Sequence, residues 1–73
     1  MHSQLLELRF ASDPSCLKDV RRKVEKTVSK IVRKKKFASD VTLAVSEACM
    51  NIIMHGYKGK YDKEIVLQIR RAD

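Results

Sequence analysis

Leu17, Val20, Val24, Val28 and Ile31 recur at steps of three and four residues, and this stripe constrains the fold more than any other feature. Side chains at those steps share one face of a helix, so about Pro14 to Lys34 is predicted to be an amphipathic α-helix. Such a helix needs an apolar surface to lie on. Two segments with a period of two offer it. Leu6, Leu8 and Phe10 alternate with Glu7 and Arg9, with Leu5 as the exception. Ile65, Leu67 and Ile69 alternate with Val66, Gln68 and Arg70. Leu5–Phe10 and Glu64–Arg70 therefore read as half-buried strands. Between the first strand and the helix, Asp13 is placed to cap free amides and Pro14 already has helical φ.

A second helix is predicted from about Val41 to His55. Phe37-Ala38-Ser39-Asp40 interrupts the first pattern, and Ser39 or Asp40 can cap the second helix. Val41, Leu43, Ala44, Val45, Ala48, Cys49, Met50, Ile52, Ile53 and Met54 make this helix apolar on almost every side. A helix of that kind is expected to be covered on more than one face. Gly56 is expected to end it as a left-handed C-cap. Tyr57 to Lys63 reads as a polar loop turning at Gly59. The order is β-α-α-β, an α+β arrangement.

Seventy-three residues make one small domain, and at that size a single core supplies only ~3 to 5 kcal/mol. Two strands are a marginal sheet, and unpaired strand edges attract further strands, so a homo-oligomer is expected. No run approaches the ~18 to 20 uninterrupted apolar residues of a membrane span, and no membrane role is expected. Met1-His2-Ser3-Gln4 leads to Glu7 and Arg9 without an apolar signal region, and a cytoplasmic location is expected. In that reducing compartment Cys16 and Cys49 are expected to stay unpaired. His2 and His55 lie far apart, and no Cys/His cluster has metal-ligand spacing.

The formal net charge is +7, and ten of the 16 basic residues fall between Lys18 and Lys36. The Arg33 to Lys36 run suits the negative end of the first helix's dipole. A solvated basic face is the plainer reading, with weak, salt-sensitive affinity for polyanions. The aromatic platforms of single-strand binders are missing, since only Phe37 stands nearby.

Glu47, Asn51 and His55 are each four residues apart and form a polar stripe along the second helix. One reading is structural: the three bridge loops or meet water where the helix surfaces. The other is chemical. Asn51 offers a neutral oxygen of the kind Mg²⁺ prefers, and Glu47, one turn earlier, can accept a proton from a hydroxyl or water beside a phosphate. His55 reads first as a surface histidine stabilised by the helix C-terminus, and alternatively as a group that approaches a phosphate.

Val45-Ser46-Glu47-Ala48-Cys49-Met50-Asn51-Ile52-Ile53-Met54-His55-Gly56-Tyr57 resembles the N-box of bacterial anti-sigma factor serine kinases, the RsbW and SpoIIAB type of the GHKL histidine-kinase-like ATPase superfamily. The resemblance spans about Leu5 to Arg70. It implies the β-α-α-β half of a Bergerat-type ATPase sandwich, with helices packed on one face of a small, incomplete sheet. It also implies that Glu47 is the general base and that Asn51 is the Mg²⁺ ligand beside ATP, and His55 is a further cofactor-binding candidate from its place at the end of the same stripe. Family members sequester a sigma factor and phosphorylate a serine of an anti-anti-sigma partner, and many dimerise. The family continues into glycine boxes, whereas Gly56 and Gly59 are the only glycines here. Residues 1–73 are accordingly expected to be the N-terminal portion of such a domain, unable to catalyse alone. The competing reading is a small basic module for nucleic acid or an acidic protein partner.

Overall fold

The computed structural model describes residues 2–72, with side chains over residues 4–71. Expectations resting on Met1, the His2 side chain and Asp73 lie outside these. Strand β1 (His2–Ala11) leads through a 3₁₀ turn (Pro14–Cys16) into helix α1 (Leu17–Ser29). Helix α2 (Lys35–Asn51) comes next, continues as a π turn (Ile52–Gly56), and the chain returns as β2 (Glu64–Ala72). The β-α-α-β order predicted from periodicity holds. β1 and β2 pair antiparallel, with Leu6 opposite Ile69, Leu8 opposite Leu67 and Phe10 opposite Ile65. Both apolar sets thus fall on the same face of the sheet, and the helices cover that face alone.

Leu5 breaks the alternation for a physical reason. The register shifts between Gln4 and Leu6, so Leu5 is the extra residue of a bulge and has no partner on β2. On the outer face Gln68 Nε2 donates to Glu7 Oε1 at 2.7 Å, and Arg9 Nη1 reaches Glu64 Oε1 at 3.3 Å. These are exposed contacts worth little individually.

The core is in two parts. Val20, Val24 and Val28 of α1 bury against Ala38 of α2, with Leu6, Leu8, Leu67 and Ile69 closing the sheet side. Leu17, Cys49, Ile53 and Ile65 form the second cluster, flanked by Phe10, Val45 and Tyr57. The Asp13 carboxylate accepts from the Ser15 amide at 2.9 Å, as its position before Pro14 predicts. Both cysteines are unpaired, and burial pushes the Cys49 thiol up.

Several expectations are overturned. Helix α1 stops at Ser29 rather than near Lys34, and Ile31 is exposed. Phe37-Ala38-Ser39-Asp40 is not a break but lies inside α2, whose cap is Lys34, extended and without a side-chain bond. Ala38 decides this, because its methyl group is fully buried against the α1 valines and draws the helix start back. The Arg33–Lys36 run therefore does not continue an α1 C-terminus; it leads into the positive end of α2, and the dipole explanation for it fails.

Gly56 is not left-handed either. Positive φ occurs at Lys58 (51°) and Gly59 (74°), so the turn at Gly59 stands while the helix ends in a π turn instead of a glycine cap. Nor is α2 covered on more than one face. Ala38, Thr42, Ser46, Cys49 and Ile53 are buried, whereas Leu43, Met50, Ile52 and Met54 are exposed. Two strands and one helix can cover only one side of it.

Lys35–Gly56 also corrects the membrane arithmetic. Its 22 helical residues include a window of mean hydropathy 1.3, long and apolar enough to cross a membrane by length and composition. A core helix can have the same composition, but packing accounts for only part of it here: Cys49 and Ile53 are buried, whereas Leu43, Met50, Ile52 and Met54 are exposed.

Candidate functional site

The polar stripe of α2 lies on the side of the helix away from the core. Glu47, Asn51 and His55 are all exposed. Their backbone is held in place from behind. Ser46, one residue before Glu47, is buried and its hydroxyl accepts from Arg21 Nη1 at 3.3 Å, tying α2 to α1. By sequence Arg21 reads as part of the solvated basic face; its guanidinium instead turns across to the neighbouring helix. Thr42 Oγ1 donates back to the Ala38 carbonyl at 2.7 Å, one turn earlier. Cys49 and Ile53 anchor the later turns in the core. Alternation of buried and polar positions at helical spacing thus fixes which way the stripe faces.

The π turn begins directly after Asn51. The Tyr57 amide bonds to the Ile52 carbonyl at 2.8 Å, five residues back, and the Gly59 amide to the Ile53 carbonyl at 3.0 Å. Four residues overshoot one α-helical turn, so a stripe at this spacing drifts sideways along an α-helix. Widening the last turn brings His55 back towards the line of Glu47 and Asn51. π turns of this kind are frequent at functional sites. Nothing in the apolar periodicity signals one.

The loop between the π turn and β2 is pinned at both ends. Tyr57 packs against the core and its hydroxyl donates to the Glu64 carbonyl at 3.1 Å. Ser12 is fully buried; its hydroxyl donates to the Lys60 carbonyl at 2.6 Å and accepts from the Lys63 amide at 3.0 Å. The Ser12 amide also donates to the Lys63 carbonyl at 2.7 Å. In the sequence Ser12 is legible only as part of a helix start. Its loop partners lie about fifty residues away, and no local signal announces such a contact.

Among the described residues, Glu47, Asn51 and His55 make no side-chain hydrogen bond, so all three are free to meet a ligand approaching from outside α2. No three His, Cys, Asp or Glu side chains among them come together as a metal cage would need. Three surface depressions lie elsewhere: beside Arg9 and Lys63, between β1 and α1, and at Val32–Phe37. The stripe is an exposed face rather than a closed pocket. It presents a carboxylate, an amide oxygen and an imidazole to one side.

A family model described as the histidine kinase-like ATPase domain matches residues 10–73. The chain belongs to that family. The match runs from the end of β1 through both helices and β2, so it includes the whole stripe and most of both core clusters. Two helices on a two-stranded antiparallel sheet agree with a part of a GHKL-type ATPase domain. No curated protein and no solved structure matches the chain.

Proposed function

We propose that this histidine kinase-like ATPase chain carries the Mg-ATP-facing helix of an anti-sigma factor serine kinase of the RsbW and SpoIIAB type. One observation carries the reading: Glu47 and Asn51 of α2 and His55 of the π turn that follows are all exposed, without side-chain hydrogen bonds among the described residues, inside the family match. Magnesium takes oxygen donors, keeps several waters and leans on phosphates instead of a protein cage. Asn51, a single neutral oxygen on an open wall, fits that habit. When bound, Mg-ATP supplies the phosphoryl group and the charge neutralisation that its transfer needs.

The chain's own residues then have distinct tasks. Glu47 accepts the proton of the attacking hydroxyl, as an exposed carboxylate free of internal partners is able to do. Asn51 orients the ligand without adding charge. His55 approaches the phosphates from the end of the π turn. Ser46, held by Arg21, keeps the Glu47 backbone from rotating.

The substrate in this reading is a serine of an anti-anti-sigma protein, and the sequestered partner is a sigma factor. The protein works in the cytoplasm, as a homo-oligomer. Its affinity for nucleic acid is weak and non-specific. In this reading residues 1–73 supply one wall of the nucleotide site, and glycine-bearing segments of the kind the family carries supply the other.

The test is Asn51→Ala in a chain that supplies those segments. Mg-ATP turnover is expected to disappear while the circular-dichroism spectrum stays unchanged. Turnover equal to the parent chain contradicts the role of Asn51.

A further inference from the structure

The corner between α1 and α2 breaks a local rule of helix electrostatics. Lys34, Lys35 and Lys36 surround the start of α2, which has no acidic residue in its first turn and no side-chain cap. Cations at the positive end of a helix dipole are unfavourable, and basic residues belong at the other end. No acidic residue stands between Glu25 and Asp40 to offset them. Ala38 packing on the α1 valines compensates for it, and local rule-breaking that is offset elsewhere is typical of functional surfaces.

The corner is also apolar. Val32, Arg33, Lys34 and Phe37 line a shallow depression of about 280 Å³. Phe37 is 53% exposed, and Ile31, in the same α1–α2 connection, is 44% exposed. Lysine and arginine stems add apolar surface while their charges stay outside. An exposed aromatic side chain directly after the Arg33–Lys36 run, with Arg33 and Lys34 lining the same depression, is a combination that a merely solvated helix end does not need.

We propose that this corner docks an acidic segment of a partner protein, with one apolar side chain seated on Phe37 and Val32. Carboxylates of the segment meet Arg33, Lys34 and Lys35, and also the free amides at the start of α2. The apolar surface of Val32 and Phe37 beside these cations favours a segment that carries both carboxylates and an apolar side chain over the other polyanions. Single-stranded nucleic acid needs a row of aromatic platforms, and Phe37 stands alone. A lipid surface takes protruding apolar groups, not a depression ringed by charge. This inference is independent of the nucleotide site, which lies further along α2.

The test is fluorescence polarisation of the full chain with a labelled peptide of Glu and Asp residues around two leucines. A matched peptide carries serine at both leucine positions. The leucine peptide is expected to bind about tenfold more tightly, as burial of an apolar side chain against Phe37 and Val32 would give. Phe37→Ser is expected to remove that difference. Lys35→Glu with Lys36→Glu, both exposed, is expected to weaken both peptides and serves as the second variant if Phe37→Ser disturbs the helix. Generic duplex DNA and phosphatidylserine vesicles are titrated in parallel. Equal affinity for the two peptides, binding of neither, or tighter binding to DNA or vesicles overturns the proposal.

Discussion

Ser12 holds Lys60 from the far end of the sequence: its buried hydroxyl donates to the Lys60 carbonyl at 2.6 Å. The same oxygen accepts from the Lys63 amide, so one side chain closes the loop between the π turn and β2. Ser12→Ala leaves that carbonyl and that amide without their partner. The expected loss is about 1 to 3 kcal/mol in urea unfolding, with faster amide exchange at Lys63. A change within error at both readouts would mean that the loop is held by the Ser12 backbone bond alone.

The two sides of α2 should respond differently to truncation. Ile53 is fully buried, and Ile53→Ala is expected to cost about 2 to 5 kcal/mol. That rivals the whole ~3 to 5 kcal/mol that a core of this size supplies, so the variant should be largely unfolded. Leu43 is 59% exposed, and Leu43→Ala should stay within about 0.5 kcal/mol of the parent. Similar losses at both positions would show that α2 is covered on its outer side in solution.

The glycines make a second contrast. Gly59 has φ of 74° with open space around its missing Cβ, so Gly59→Ala meets only the backbone penalty of about 1 kcal/mol or more. At Gly56 an added Cβ would sit 3.8 Å from Ile52 Cγ2, an ordinary contact, and no positive φ is required. Gly56→Ala should be neutral or slightly stabilising by thermal melting. A larger loss at Gly56 than at Gly59 would reverse the assignment of the left-handed turn.

Cys49 links stability to alkaline pH. Burial raises its thiol above the ordinary value of 9.0, so the neutral form is favoured in the folded state. The stabilisation is complete below the unfolded value and is lost as pH rises from there through the folded one. Unfolding free energy should therefore fall above about pH 9 more steeply in the parent chain than in Cys49→Ala. Alkylation should modify half-buried Cys16 before Cys49. Parallel pH profiles would show that the Cys49 thiol does not contribute.

Much of this architecture can be read directly from residue spacing. The valine stripe of α1 and the alternation of Leu6, Leu8 and Phe10 with Ile65, Leu67 and Ile69 are local patterns, and tertiary packing agrees with them. The helix around Glu47 and Asn51 is equally visible, because helical spacing alone puts the two on one face. The features that escape a sequence reading depend on contacts distant in the chain. The start of α2 is set by Ala38 against the α1 valines, which outweighs the unfavourable lysines around it. Gly56 looks like a cap until the Tyr57 and Gly59 amides reach back to Ile52 and Ile53. The outer face of α2 looks like core because apolar composition does not say which neighbours are present.

The most direct test of the central claim is a nuclear magnetic resonance titration of the chain with Mg-ATP, tracked residue by residue. The expected result is weak binding, of the order of 1 mM, with Mg²⁺-dependent shifts centred on Glu47, Asn51 and His55 and lost in Asn51→Ala. Shifts confined to Arg33–Lys36, fading with salt and indifferent to Mg²⁺, would mean that ATP is only a polyanion to this chain. That result would contradict the assignment of the α2 stripe as the nucleotide-facing wall.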